Sequence, residues 1–272
     1  MHQIPIYQID AFAPKSFGGN PAAVCPLPAF LSDELMQAIA LENNLSETAF
    51  LVPDGEVGAQ HPKYHLRWFT PAVEVDLCGH ATLAAGYVVL NHLQPDAETV
   101  SFATRSGTLR VSRSGARLSM DLPNLMPKQI EAQDGLEEAL GVRALEVQHR
   151  DRDLLIRIES LSELMELAPD FRALKQFAPY GFLVTTEGGD LGDFVSRCFF
   201  PNHGIDEDPV TGSAHSVLAP YWARELGKDR LHARQLSQRQ GELWIDVSPE
   251  TVTLVGEAVE TMRGTLFVPQ VA

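Results

Sequence analysis

Three stretches of the sequence carry side chains that could move a proton. In SETAFL, Glu47 lies between Ser46 and Thr48. A partly buried carboxylate at that place could take up and return a proton, although the residue also reads as a surface acid at a strand edge. In CGHATLAAG, His80 follows Gly79 at the start of an apolar segment. A helix N-terminus disfavours a charged imidazole, which points to a neutral ring able to donate or relay a proton. The plainer reading is a core histidine satisfied by its neighbours. In GIDEDPVTGSAH three acids, Asp206, Glu207 and Asp208, fall close together. Such a group is ordinarily a solvated turn, and Asp206 and Glu207 read that way; Asp208 stands directly before Pro209 and near Gly212 and Ser213. Ser213 reads as a helix N-cap whose hydroxyl could also meet a ligand. Gly79 and Gly212 allow close backbone approach, and Asn20, in GGNP, reads as a turn former or a weaker binding residue.

Other chemistries fit the pattern less well. His61 and His65 have i, i+4 spacing, but Pro62 follows the first and the segment reads as strand; no HExxH is present, so no metal site is expected. FGGNP lacks the lysine of a phosphate-binding loop and the order of a dinucleotide fingerprint. A serine hydrolase using Ser213 with His80 or His215 would lack the Gly-x-Ser-x-Gly elbow. A non-catalytic binding protein that retains a cleft is the alternative from another functional class.

The elements that would position these residues follow from patterning. IPIYQIDAF alternates as a strand, and ETAFLVP, YHLRWF, DLLIRI and GFLVTT read as further strands. Ser32 is a plausible N-cap for a helix with Leu35, Met36, Ile39 and Ala40 on one face, stopped by Asn43 and Asn44. HATLAAGYVVL is apolar on every side, so as a helix it is buried all round. TPAVEVDLCG reads as the loop before it, and TLRVSRSGARLSMDLP as a hairpin turning at Ser114-Gly115. LSELMELAPDFRALKQF reads as a helix in the second half.

One pair of segments repeats. LRWFTPAVEVDLCGHATLAAGY and SRCFFPNHGIDEDPVTGSAHSVLAPYW both contain Arg-x-Phe-x-Pro, at Arg67, Phe69, Pro71 and at Arg197, Phe199, Pro201. Each then has an acidic stretch and closes on Gly79-His80-Ala81 or Gly212-Ser213-Ala214. The expectation is a duplicated α/β unit whose helix N-termini, with unpaired N–H groups and partial positive charge, hold an anion such as a substrate carboxylate. Two lobes are expected, 1–122 and 123–272, with the last strand free to return to the first.

The 272 residues carry a formal charge of −15, which disfavours nucleic acid and anionic lipid as partners. No apolar run approaches the ~20 residues of a membrane span, and no signal peptide is apparent at the N-terminus. Cys25, Cys78 and Cys198 are scattered and odd in number, which fits a reducing cytoplasm better than a disulfide framework.

Four motifs together, QIDAFAPKSFGGNPAAV, SETAFL, FTPAVEVDLCGHATLAAG and GIDEDPVTGSAHSVLAPYW, make the chain resemble the PhzF-like (phenazine-biosynthesis-like) proteins over essentially its whole length. The resemblance implies an α+β diaminopimelate epimerase-like fold, with two pseudo-symmetric lobes, each a curved mixed sheet around a central helix, and the active site between them. It also implies an isomerase or epimerase that needs no cofactor, acts on a small carboxylate-bearing substrate and is often a homodimer. Glu47 falls on the family's general acid/base, Gly79-His80 on its active-site element with His80 a polar partner of the substrate, and Asp208 on its motif acid. Glu47, His80 and Asp208 are the expected catalytic residues, and Ser46, Gly79, Gly212, Ser213 and, as a weaker candidate, Asn20 the expected substrate-binding ones. The related epimerases use a cysteine at each helix start. Here Cys78 precedes Gly79 but the second copy has none, so Cys78 reads as a small buried residue and a symmetric cysteine mechanism is excluded on count.

Overall fold

Alternating and continuous apolar stretches make strands that outnumber helices in the computed structural model, which describes residues 2–55, 60–178 and 180–268. The chain forms two compact units, residues 1–121 with 255–272, and residues 122–254.

In the first unit, β1 (His2–Ala11) pairs antiparallel with β2 (Asn20–Pro26). The helix α1 (Asp33–Asn43) starts where the Ser32 hydroxyl accepts from the Leu35 N–H and ends at Asn44 in the left-handed region, φ +48°. β3 (Glu47–Pro53) lies parallel to β2, and β4 (Lys63–Phe69) antiparallel to β3. The segment before the apolar helix is not wholly a loop: Glu74–Val75 form a short strand, β5, against β4. The helix α2 (Gly79–Val88) packs on β2, β1 and β3. Its residues Gly79 to Gly86 and Val88 are buried, as all-round apolarity requires, and it continues into a wider turn over Val89–Leu93. β6 (Thr99–Thr104), β7 (Gly107–Ser114) and β8 (Arg117–Pro123) follow. Ser114 pairs with Arg117, so the β7–β8 turn is Gly115-Ala116, one residue beyond the expected place, because the φ of +62° falls on Gly115.

The second unit carries β9 (Lys128–Ile130), α3 (Leu136–Leu140), β10 (Glu146–Arg150) and β11 (Asp153–Arg157). The expected single helix over 161–177 is two short ones, α4 (Leu161–Glu166) and α5 (Phe171–Leu174). Pro169 interrupts it, and Asp170 recaps the chain by accepting from the Arg172 and Ala173 N–H groups. β12 (Gly181–Glu187), β13 (Phe194–Phe200) and β14 (Ile205–Asp208) precede α6 (His215–Leu226). The acidic stretch is therefore a strand and not a solvated turn. β15 (Arg230–Gln235), β16 (Gly241–Val247) and β17 (Thr251–Gly256) follow. The last strand, β18 (Ala258–Val268), belongs to the first unit and pairs antiparallel with β1.

The same order of pairings occurs in both units. β2 parallel to β3, β3 antiparallel to β4 and β4 parallel to β6 match β11 parallel to β12, β12 antiparallel to β13 and β13 parallel to β15. Each unit also holds a guanidinium–carboxylate clamp with two parallel hydrogen bonds. Arg67 Nε and Nη2 donate to Glu74 at 2.7 and 2.8 Å, and Arg197 Nε and Nη2 donate to Glu207 at 2.7 and 2.9 Å. Glu207, read from the sequence as solvated, is thus a structural partner of the repeated arginine.

Candidate active site

The register of the first unit's sheet gathers its polar residues. Ala22 stands opposite Glu47, so the start of β2, with Asn20, lies beside the start of β3, with Ser46 just before it. The N-terminus of α2 adds Cys78, Gly79 and His80. The N-cap residue, Cys78, makes no side-chain capping hydrogen bond; Thr82 Oγ1 donates to the Cys78 carbonyl at 2.6 Å. Glu47 is 8% and His80 4% exposed, and Asn20 is fully buried.

These residues form a chain of polar contacts. The Ser46 hydroxyl donates to Asn20 Oδ1 at 2.9 Å, and the Asn20 amide lies 3.2 Å from His80 Nδ1. On the other side of the ring, His80 Nε2 is 2.9 Å from Glu47 Oε2. That contact is close but is not aligned as a hydrogen bond, and neither atom has another hydrogen-bond partner among the described residues. Two buried polar atoms held face to face in this way are costly unless a third group completes them. The Cys78 sulfur sits 3.5 Å from His80 Nδ1.

Electrostatics reverse one expectation. Burial opposes charge on the His80 ring, but its polar neighbours, Cys78 and the Glu47 carboxylate, outweigh burial and hold the ring's pKa well above its ordinary value. The helix start alone does not make the ring neutral. Cys78 itself is pushed up to about 11, first by burial and then by the Glu47 charge. Its contact with His80 makes it part of the site's surroundings, a role the sequence showed only through its place beside Gly79-His80.

Glu47, Cys78 and His80 lie close enough together to suggest a metal site. The arrangement is not that of a chelate. Cys78 flanks Nδ1 and Glu47 flanks Nε2, whereas one ion takes one ring nitrogen, along its lone pair.

The second unit holds Asp208, Gly212 and Ser213. Asp208, 7% exposed, accepts from Thr211 Oγ1 at 2.5 Å. Gln235 ties this turn together: its Nε2 donates to the Asp208 carbonyl at 2.8 Å, and its Oε1 accepts from the Thr211 N–H at 2.8 Å. Gln235 lies on β15, far along the chain, and no local motif marks it. Gly212 and Ser213 form a turn; α6 starts at His215 with Ala214 in the capping position. Ser213 is exposed and is not the N-cap; it stands one residue before Ala214, inside the turn that leads into the helix. His215 is buried, its pKa lowered to about 4 by burial, and its Nδ1–H donates back to the Thr211 carbonyl at 2.8 Å. Its Nε2 meets no hydroxyl among the described residues, which removes the Ser213–His215 hydrolase pair.

Residues 9–264 match the family model described as phenazine biosynthesis-like protein. An uncharacterized isomerase of Pseudomonas aeruginosa is 52% identical over 265 residues, 97% of this chain and 99% of that protein. A human phenazine biosynthesis-like domain-containing protein is 41% identical over 286 residues, 97% of this chain and 99% of its own. The crystal structure of a PhzF-family phenazine biosynthesis protein from Enterococcus faecalis superimposes with a TM-score of 0.92 at 42% identity, covering 98% of this chain and 100% of that one. A hydroxyproline epimerase of Agrobacterium vitis, 12% identical over 97% of this chain and 92% of its own, shares the fold with a TM-score of 0.64. With a mixed α/β fold of this kind and relatives of this closeness, the chain belongs to the phenazine biosynthesis-like (PhzC-PhzF) family and is an isomerase.

Proposed function

We propose that the protein moves a proton on a small carboxylate-bearing substrate by acid/base chemistry carried on its own side chains, with Glu47 as the group that removes and returns the proton. The observation that supports this reading is the buried Glu47–His80 pair, whose facing atoms 2.9 Å apart lack any other hydrogen-bond partner among the described residues. A substrate C–H or a developing enolate oxygen is the group that would complete them. The N–H groups at Gly79 and His80, at a helix start whose N-cap residue makes no side-chain capping hydrogen bond, suit the substrate carboxylate. Asp208, Gly212 and Ser213 are proposed, on the family resemblance alone, as further functional groups, Gly212 and Ser213 for substrate binding and Asp208 as a second acid.

The test has two stages. A ligand retained by the purified protein is identified by mass spectrometry, and its C–H positions are followed in deuterium oxide. An isomerase of this kind exchanges or relocates the label, and a binding protein that merely holds the ligand does not. Glu47→Gln preserves shape and removes the base, so its rate should fall on the order of 10²–10⁴-fold. A near-normal rate in that variant overturns the assignment.

A further inference from the structure

The role of Asn20 can be taken further, on the basis of the Glu47 reading above. Its side chain is fully buried, and its amide meets the Ser46 hydroxyl at the oxygen and the His80 ring at the nitrogen. We propose that Asn20 is a positioning residue that fixes which ring nitrogen keeps its hydrogen when His80 loses a proton: Nε2 retains it, so that the ring presents a donor toward Glu47 and substrate in either charge state while Glu47 alone is the base.

The atoms facing the two ring nitrogens set the tautomer. A carboxylate oxygen stands 2.9 Å from Nε2; a lone pair on Nε2 would repel it, so Nε2 keeps its hydrogen. At Nδ1, 3.2 Å away, stands the Asn20 amide, whose oxygen is already occupied by the Ser46 hydroxyl, leaving its NH₂ to donate to the ring. The Cys78 sulfur, 3.5 Å from the same nitrogen, bears a proton at neutral pH and is also a donor. Among the described residues, Glu47 and Cys78 are the titratable groups shown facing this ring, from β3 and from the residue before α2. Two donors at Nδ1 and one acceptor at Nε2 dictate the order of proton loss: when the ring becomes neutral, Nδ1 gives up the hydrogen and Nε2 retains it. A ring so held cannot act as a base through Nε2.

Ring-¹⁵N NMR of histidine-labelled protein tests this without any substrate, the His80 signals being assigned with His80→Gln. As pH rises through the His80 titration, Nδ1 should become pyridine-like while Nε2 stays pyrrole-like. Asn20→Ala removes a donor that favours the neutral ring, and Asn20→Asp replaces it with an acceptor that favours the cation. The His80 midpoint should therefore rise from wild type to Asn20→Ala to Asn20→Asp, by about 1–2 pH units in the last. Ser46→Ala, which removes the hydroxyl that donates to the Asn20 oxygen and so weakens the hold on the amide's orientation, should raise it by less and serves if the Asn20 variants do not fold. A neutral wild-type ring with its hydrogen on Nδ1, or one midpoint shared by all the folded variants, overturns the proposal. These titrations stand apart from the deuterium experiment: if they fail, the assignment of Glu47 as base is untouched, and if only the exchange fails, the tautomer assignment stands.

Discussion

At the residue scale the question is which group beside His80 carries the mobile proton, and Cys78 is the rival to Glu47. Its sulfur is 3.5 Å from the ring, but burial and the Glu47 charge push its pKa up to about 11. At pH 8 only about one part in a thousand would be thiolate, and the thiolate is the reactive form. Cys78→Ala is therefore expected to retain the proton-transfer rate within about tenfold, whereas loss of a true base costs 10²–10⁴-fold. A loss in Cys78→Ala as large as that in Glu47→Gln would make the thiol the base. Native protein should also resist a disulfide-exchange reagent at pH 8, since Cys25 and Cys198 are fully buried with raised pKa values. The types and order of Ser46, Glu47, Gly79 and His80 were legible in the sequence through their motifs. The meeting of Glu47 with His80 was not: 33 positions separate them, and it depends on where β3 and α2 start against one sheet. Nor was the direction of the ring's pKa shift, because the helix start is a visible feature while the neighbouring negative charge appears only on folding.

At the element scale, comparing strand registers shows what the second unit puts where the first has Glu47. Thr48 pairs with Phe69, and Phe182 pairs with Phe199. With Phe69 and Phe199 matched by the repeated motif, Glu47 corresponds to Gly181, and its neighbour Ala22 to Asp153. The Asp153 carboxyl occupies part of the space left by the missing side chain: a Cβ built on Gly181 would lie 2.8 Å from Asp153 Oδ1 and 2.4 Å from the Phe200 ring. Burial, then the charge of Asp151, raises the Asp153 pKa from 3.8 to about 6. Folded protein thus binds more protons than unfolded chain between these values, so stability falls as pH rises through that window and stays lower above it. Asp153→Asn should raise the melting temperature at pH 8, with a ceiling of about 3 kcal/mol, and the gain should vanish by pH 4. Equal melting of both proteins at pH 8 would show that the carboxyl is not strained. Periodicity revealed most strands, α1 and the buried α2, since each has one dominant pattern. It joined α4 to α5 because their apolar residues continue across Pro169, and it started α6 at Gly212 because the additional turn before His215 leaves no mark in apolar spacing.

At the scale of the whole molecule, each unit has its own apolar core and its own arginine clamp, so the two should respond separately to local damage. In the second unit an apolar cluster gathers Leu154, Ile156, Phe182, Val184 and Phe199, and in the first a cluster gathers Ile4, Ile6, Ala23, Phe50 and Phe69. In the second unit Arg197 binds Glu207 through two nitrogens and also donates to the carbonyls of Leu164 and Leu167, at 3.1 and 2.7 Å. It thereby joins β13 and β14 to the C-terminal end of α4. In the first unit Arg67 joins β4 and β5 to the first residue of α1, donating to Asp33 at 2.9 Å. Arg197 and Glu207 have side chains 14% and 21% exposed, so their bidentate bonds are only partly screened by water. Glu207→Gln keeps the shape, removes the charge and replaces one accepting oxygen with a donor, which should cost on the order of 1–3 kcal/mol. Hydrogen exchange should locate that loss: β13, β14 and α4 lose protection, while β3, β4 and α2 in the first unit exchange as in wild type. Glu74→Gln should produce the converse pattern. Uniform loss across both units in either variant would mean that they open as one cooperative body.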